Sequence, residues 1–340
     1  MCGILGNRFP GGFFVVTLED VARHAGVSLA TASRVLNGSA RQVGAGLRAK
    51  VEQAAAELGY RTNVAAQTLA RGAGNVIGLV VHDLVDPYFA AIADGAVKAA
   101  EDHGMVVMVG TTHRDPAKEI AYVSSLGAQR ARAVILAGSR MDDPSAAGLR
   151  AELDRYRAGG GRVAVVGQDL LGADTVAVAN RAGAAALAEA LHAMGHREFA
   201  VLAGPPRLIT AVERCEGFAG ALPGLSPQII HGPFDRDGGY GAALSIDPGV
   251  TCVFAVNDVM AVGALAAFRD RGIRVPDDVS LAGFDDIATL RDLVPALTTV
   301  RLPLAEMGAR AVELALSEEA GPSVVHVEGE VVIRESVRAR

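Results

Sequence analysis

Apolar positions along this chain change their spacing near residue 75, and the change divides it in two. Between Thr17 and Leu58 they recur three and four apart, the period of helices packing one face inward. Thr17 followed by Asp20 marks a helix start, a hydroxyl for the free backbone N–H groups and a carboxylate at the positive end of the dipole. Leu18, Val21 and Ala22 form its stripe, Gly26 supplies a tight turn and Ser28 caps a second helix over Leu29–Asn37. That helix turns Ala32, Val35 and Leu36 inward and leaves Leu29, Ala30, Thr31, Ser33 and Arg34 on the other side. A third, Leu47–Leu58, presents Val51, Ala54, Ala55 and Leu58 and closes on Gly59. Two short helices around a glycine turn, the second showing hydroxyls and a guanidinium, describe a helix-turn-helix that enters a major groove. The spacing also suits an ordinary helical hairpin.

From Asn75 the pattern becomes short apolar runs alternating with amphipathic stretches, as in parallel βαβ units. The first series is Val76–Val81, Tyr88–Asp102, Met105–Gly110, Ala117–Leu126, Ala133–Ala137, a helix near Arg150, and Val163–Val166. A second series repeats the plan from Val176–Ala179 through Val279–Ala282. The fold class read here is a small all-α helix-turn-helix headpiece joined to an α/β bilobal core of two doubly wound parallel-sheet lobes. The expected boundaries are an extension over 1–16, a DNA-binding domain over 17–62, a hinge helix and linker over 63–73 and a core over 74–335. Within the core, lobe 1 spans about 74–170 and 299–320, and lobe 2 about 174–295 and 322–335. Chain crossings are expected near Gln168–Asp174 and Pro295–Val300.

The formal net charge of −6 argues at first against a nucleic-acid partner. Its distribution reverses that: through Gly72 the chain carries eight basic and four acidic residues, a net +4 that leaves −10 for the rest. A basic head on an acidic body suits a head that meets phosphate. Cys2, Cys215 and Cys252 stand far apart and suggest neither a zinc site nor a disulfide framework, which fits a reducing cytoplasm. The first sixteen residues make a poor signal peptide, and no run of about 18 apolar residues predicts a membrane span. Gly44, Gly46 and Ala49 match a dinucleotide fingerprint, but no strand precedes them.

The run LEDVARHAGVSLATASRVLNG is similar to the N-terminal DNA-binding signature of the lactose-repressor (LacI/GalR) family of bacterial transcription regulators. MGHREFAVLAG, ERCEGFAGAL, FAVNDVMAVGALAAFRDRGIRVPDDVSLAGFDDI and PALTTVRLPLAEMGARAVEL resemble later family blocks in the same order. The resemblance implies a periplasmic-binding-protein-like core, a hinge helix over Asn63–Ala70 that pairs with its copy in the minor groove, Leu69 as the intercalating wedge and Ala66 as the small residue permitting close approach. Candidate DNA contacts are Thr17, Ser28, Leu29, Ala30, Thr31, Ser33, Arg34, Asn37, Tyr60, Asn63, Ala66 and Leu69. The chain departs from the family where Gly44 follows Val43 in place of a capping Ser and Leu47 stands near a Thr position, so a phosphate contact is expected to be missing. It departs again at Ala179-Asn180, where the family often has Asp-Asn.

Ligands of doubly wound sheets bind beyond the carboxyl ends of the strands. The polar and aromatic residues expected there are Asp86, Tyr88, Phe89, Gln168, Arg214, Phe234, Asn257 and Asp285, a mixture of donors, acceptors and ring faces suited to a sugar. Arg214, Asn257 and Asp285 also match, by position in the motifs, the recurrent effector contacts of the family. No nucleophile motif or metal-ligand spacing is evident, so neither catalysis nor a cofactor is expected. The sequence-level reading is a cytoplasmic homodimeric repressor of a sugar-utilisation operon, binding a near-palindromic operator under control of a sugar effector, with no membrane partner. A purine-responsive regulator, a sugar carrier or sensor without DNA binding, and a nucleotide-dependent enzyme on the same lobes are the rivals.

Overall fold

The computed structural model describes residues 16–36, 43–60, 74–142, 146–318 and 321–340. They form two compact units that divide between Gly74 and Asn75. In the first unit α1 (Leu18–His24), α2 (Leu29–Leu36) and α3 (Ala45–Glu57) enclose Val21, Ala22, Ala32, Val35, Val51, Ala54 and Ala55, with Leu36 and Leu58 packed at the margin. Thr17 and Asp20 cap each other's segments as a reciprocal box, and Gly26 takes φ +64 in the turn. So small a core is marginal by itself. Among the described residues no helix is long and apolar enough to cross a membrane.

In the second unit a six-stranded parallel sheet is ordered β11-β5-β4-β3-β1-β2. Its strands are β1 (Val76–Val81), β2 (Val106–Thr111), β3 (Ala133–Ala137), β4 (Arg162–Gly167), β5 (Asp174–Val178) and β11 (Val324–Val327). Alternation decides which face each residue fills: Ile77, Leu79 and Val81 face one layer, while Val80 packs with Val134, Leu136, Val163 and Val165 on the other. Helices α4 (Pro87–Asp102) and α11 (Leu304–Leu316) cover the first face, and α5 (Pro116–Ala128) and α6 (Ala146–Ala158) the second. Where α4 and α11 cross, a Cβ on Gly95 would lie 1.8 Å from the Ala305 carbonyl oxygen, and one on Gly308 2.0 Å from that of Ile92. The two backbones touch, and only glycine permits it.

The second lobe is a four-stranded parallel sheet, β7-β6-β8-β9, built from β6 (Phe199–Ala203), β7 (Gln228–His231), β8 (Cys252–Ala255) and β9 (Ser280–Ala282). It lies between α7 (Asn180–Ala193) with α8 (Ile209–Gly220) and α9 (Arg236–Ala243) with α10 (Asp258–Asp270). An antiparallel ribbon, β10 (Thr299–Arg301) with β12 (Glu330–Val332), is bridged to this lobe through Ala282 and Thr298 and through Asp285 and Arg301.

The lobe boundaries expected from the sequence move. Asp174–Val178 pairs with β4 rather than opening lobe 2, and Val324–Val327 pairs with β5, so both belong to the first sheet. Thr299–Arg301 joins the second lobe instead of the first. The chain therefore crosses after Val178, after Arg301 and between Val327 and Glu330. An apolar run states that it is a strand but not which sheet it joins; here burial of Leu171 and Ala173 against Val134, Leu136, Val163 and Val165 of the first lobe brings Asp174–Val178 beside β4.

Candidate functional site

The exposed face of α2 carries Leu29, Ala30 and Arg34, with Thr31 and Ser33 half-buried beside them. Leu29 is 51 % exposed although it is a large apolar residue. Ser28 begins the helix: its Oγ accepts from the Thr31 N–H at 3.1 Å, and the two hydroxyls stand 2.8 Å apart. Thr17 is engaged in the α1 cap, its Oγ1 donating to Asp20 Oδ2 at 2.7 Å and holding that carboxyl below its usual range. Tyr60 is half-buried against the head's core. Asn37, Asn63, Ala66 and Leu69, with the hinge expected over 63–73, lie outside the described residues, as does Cys2.

Helix α3 starts at Gly44 with no side chain capping it, and a Cβ there would meet nothing within 4 Å. Gly44→Ser is expected to stabilise the head by a few tenths of a kcal/mol and to tighten DNA binding through a new hydroxyl beside the helix N-terminus. Denaturation and DNA titration of the variant check this; unchanged affinity would show that the hydroxyl does not reach phosphate.

In the second unit all eight candidate ligand residues surround one cavity between the lobes: Asp86, Tyr88, Phe89, Gln168, Arg214, Phe234, Asn257 and Asp285. Each sits just past a strand or in the first turns of the helix after it, because doubly wound sheets direct those ends to one side. Asp86 and Asn257 have helix work too, accepting from the N–H groups of Tyr88 and Met260 at 3.0 and 2.8 Å. Burial pushes the Asp86 carboxyl up, and pushes the Tyr88 hydroxyl up as well.

Arg214, 3 % exposed, is the most constrained of the set. Its Nε donates to Asn180 Oδ1 at 2.9 Å, its Nη1 to the Val256 carbonyl at 2.8 Å, and its Cζ lies 3.8 Å over the Phe284 ring. Nη2 stands 2.9 Å from Asp285 Oδ1, yet that oxygen accepts no well-directed hydrogen bond among the described residues. Burial pushes the Asp285 carboxyl up to about 8, the Arg214 charge acting against it and the neighbouring Asp258 with it. Asp285 and Asp286 take φ +123 and +57, the left-handed region disfavoured for side chains. The turn is anchored by Asp286, which accepts from Arg301 Nε at 2.7 Å and Arg334 Nη2 at 2.6 Å. Asp258 braces it from below, accepting from Thr299 Oγ1 and the Ile287 N–H at 2.7 and 3.0 Å.

The lobes also bond directly. The Ile209 N–H donates to the Arg140 carbonyl at 3.0 Å and the Asp142 N–H to the Arg207 carbonyl at 2.8 Å, around an antiparallel bridge of Met141 with Leu208. The Thr210 N–H donates to Ser139 Oγ at 3.1 Å. Gln168 joins both sides, donating to Thr210 Oγ1 at 2.9 Å and accepting from the Arg140 N–H at 2.9 Å.

Sequence reasoning missed His82, Arg114, Ser139, Asn180 and Thr210 in this cavity. His82, Arg114 and Ser139 follow the carboxyl ends of β1, β2 and β3, so applying the strand-end rule to every strand would have found them. Asn180 came close to recognition, because its neighbour Ala179 was noted for lacking the carboxylate; α7 indeed starts at Ala179 with no side-chain cap.

A head with an exposed recognition helix, carried on a two-lobed core that encloses a polar cavity, defines the class of ligand-responsive DNA-binding regulators. Residues 17–63 match the model of bacterial regulatory proteins of the lacI family, and 188–337 that of the periplasmic binding protein-like domain. The chain is 37 % identical over 317 residues to the HTH-type transcriptional regulator GalS of Salmonella typhimurium, covering 90 % of this chain and 91 % of that protein. It is 32 % identical to CelR of Thermobifida fusca, covering 94 % and 98 %. Among solved structures, the Lac repressor dimer bound to operator and the anti-inducer ONPF superposes with a TM-score of 0.81 at 28 % identity, covering 95 % of this chain and 99 % of that one. The protein belongs to the lacI family of bacterial transcriptional regulators.

Proposed function

We propose that the protein is a cytoplasmic repressor of a sugar-utilisation operon that binds a near-palindromic operator as a homodimer and is controlled by a sugar held between its lobes. The observation that carries the ligand half is Asp285 Oδ1, a buried acceptor in the cavity with no well-directed donor. Beyond its 2.9 Å approach to Arg214 Nη2 it has room for a directed hydrogen bond, and a ligand hydroxyl supplies one. Around it, the carboxamides of Gln168 and Asn257 and the rings of Tyr88, Phe89 and Phe234 offer the mixed polar and apolar contacts that a pyranose needs. GalS and GalR are among the regulators to which the chain is similar, and one solved relative is a CelR–cellobiose complex, 30 % identical with a TM-score of 0.68.

On DNA, Arg34 and Thr31 secure phosphate or base edges, and Leu29 and Ala30 read methyl groups and shape. The edge strand β2 supports a homodimer, because it exposes Val106, Met108 and Val109, a surface a second copy would cover. Effector binding changes the angle between the lobes and thereby whether two hinges can pair.

The test is selection of palindromic duplexes by the full chain, followed by anisotropy titration with panels of sugars and purines. An enriched palindrome whose affinity shifts with a sugar supports the reading; a response to purines alone replaces the sugar, and no enrichment removes DNA control. Two variants sharpen it. Arg34→Ala is expected to weaken operator binding and to lower the slope of log affinity against log salt by about 0.9; an unchanged slope excludes a phosphate contact. Asp285→Ala is expected to retain operator binding and lose the effector response, and a normal response would place the ligand elsewhere.

A further inference from the structure

Beside the main cavity, and sharing His82, Arg114 and Ser139 with it, lies a second one in lobe 1. It is bounded by the turn after β2, the first turn of α5 and the segment that bridges to the other lobe. Its deepest cation is Arg140, only 8 % exposed. Nη1 of Arg140 donates to Glu119 Oε2 at 2.6 Å, but Nε and Nη2 are buried with no partner among the described residues. Those two nitrogens form the edge of a guanidinium that takes both oxygens of a carboxylate or phosphate side by side. Leaving them dry and unpaired is expensive.

The surroundings strengthen the case. Arg114 lines both cavities and makes no ion pair among the described residues; its Cζ lies 5.5 Å from the centre of the Phe234 ring. His82 adds no charge, because burial pushes its imidazole down to about 3; its ring nitrogens lie 3.2 Å from Thr112 Oγ1 and 3.0 Å from the Ser139 carbonyl oxygen. Of the nearby carboxylates, Glu119 is held by Arg140 and Asp115 by the N–H groups of Ala117 and Lys118. The buried atoms without a well-directed hydrogen bond differ in kind between the two cavities: an acceptor at Asp285, itself ion-paired with Arg214, and a pair of donors at Arg140.

We propose that this second cavity is a subsite for an anionic group, a carboxylate or a phosphate, bound side-on by Arg140 with Arg114 beside it. The effector then joins a hydroxyl-rich part in the main cavity to an acidic group in the side cavity, as a sugar phosphate or sugar acid does. The hydroxyl half rests on the sugar reading above; the anionic half rests on Arg140. Arg140 also carries one of the bonds between the lobes, its carbonyl accepting from Ile209, and its N–H holds Gln168, which reaches across to Thr210. An anion on its guanidinium therefore braces the residue that ties the lobes together.

The experiment is calorimetric titration of the full-length protein, first with inorganic phosphate alone and then with hexoses, hexose 6-phosphates and hexuronates. Wild type, Arg140→Gln and Glu119→Gln are compared. Phosphate is expected to bind the wild type, to bind Arg140→Gln about 10- to 100-fold more weakly and to bind Glu119→Gln more tightly, since that change removes the competing negative charge. The opposite signs separate a subsite from a merely structural ion pair, and Glu119→Gln carries the test if Arg140→Gln does not fold. Charged sugars are expected to bind better than their neutral parents in the wild type only, and to displace phosphate; phosphate and sugar binding together would mark a free anion at the same subsite. Phosphate binding equal in all three proteins, or none in the wild type together with no preference for charged sugars, overturns the proposal. Neutral hexoses bound with no gain from charge would remove the side subsite and leave the sugar reading intact; phosphate held by Arg140 with no sugar bound would do the reverse.

Discussion

Arg214→Met is expected to cost the core about 3–5 kcal/mol at alkaline pH and to abolish the effector response. Methionine retains a flexible apolar stem against Phe284 but strips donors from Asn180 Oδ1 and the Val256 carbonyl, and leaves Asp285 buried without its cation. The pH dependence identifies the cause. The folded-state pKa of Asp285 is already raised, to about 8, well above the ordinary carboxylate range. A raised carboxyl contributes its stability below the unfolded value and loses it as pH climbs through the folded one. Removing Arg214 raises it further, so the two proteins lose stability alike up to about pH 8 and the variant's deficit grows only above it. Chemical denaturation of both proteins at pH 5 and pH 9 checks this; equal deficits at the two values would mean that Asp285 and Arg214 do not interact electrostatically.

Gly308→Val is expected to be among the most damaging substitutions in the first lobe, at about 3 kcal/mol or more. The added Cβ would start 2.0 Å from the Ile92 carbonyl oxygen and 2.9 Å from the Ala96 nitrogen, and both are backbone atoms that cannot swing aside. α11 must therefore lift from α4. Because α4 begins at Pro87, the shift moves Asp86, Tyr88 and Phe89 in the cavity, and ligand affinity falls along with the unfolding midpoint. A loss below about 0.5 kcal/mol, the range of a neutral surface change, would show that the helices are not in backbone contact.

The head was legible because its information is local. Caps, a turn glycine and stripes at Val21, Ala32, Val35 and Val51 are properties of neighbouring residues. The cavity was legible for a different reason: a rule about strand ends needs only the strands, and it gathered Asp86, Gln168, Arg214 and Asp285 from four separate stretches. What stayed hidden depends on pairing across the chain. Nothing local to Asp174–Val178 says that it lies beside β4, and nothing in Val324–Val327 says that it lies beside β5. Arg140 was equally invisible, since its meaning comes from Glu119 twenty-one residues earlier and from Gln168 and Ile209 far beyond.

The bonds between residues 139–142 and 207–210 also set a clock. Where release of a bound molecule requires the lobes to part, these hydrogen bonds must break together, and residence time is then governed by an opening of the protein as well as by the molecule's own contacts. Entry obeys the same gate. Observed association rates are then expected to level off with ligand concentration at the frequency of opening, and weakening the clasp at Ser139 or Thr210, which also line the cavity, would quicken departure.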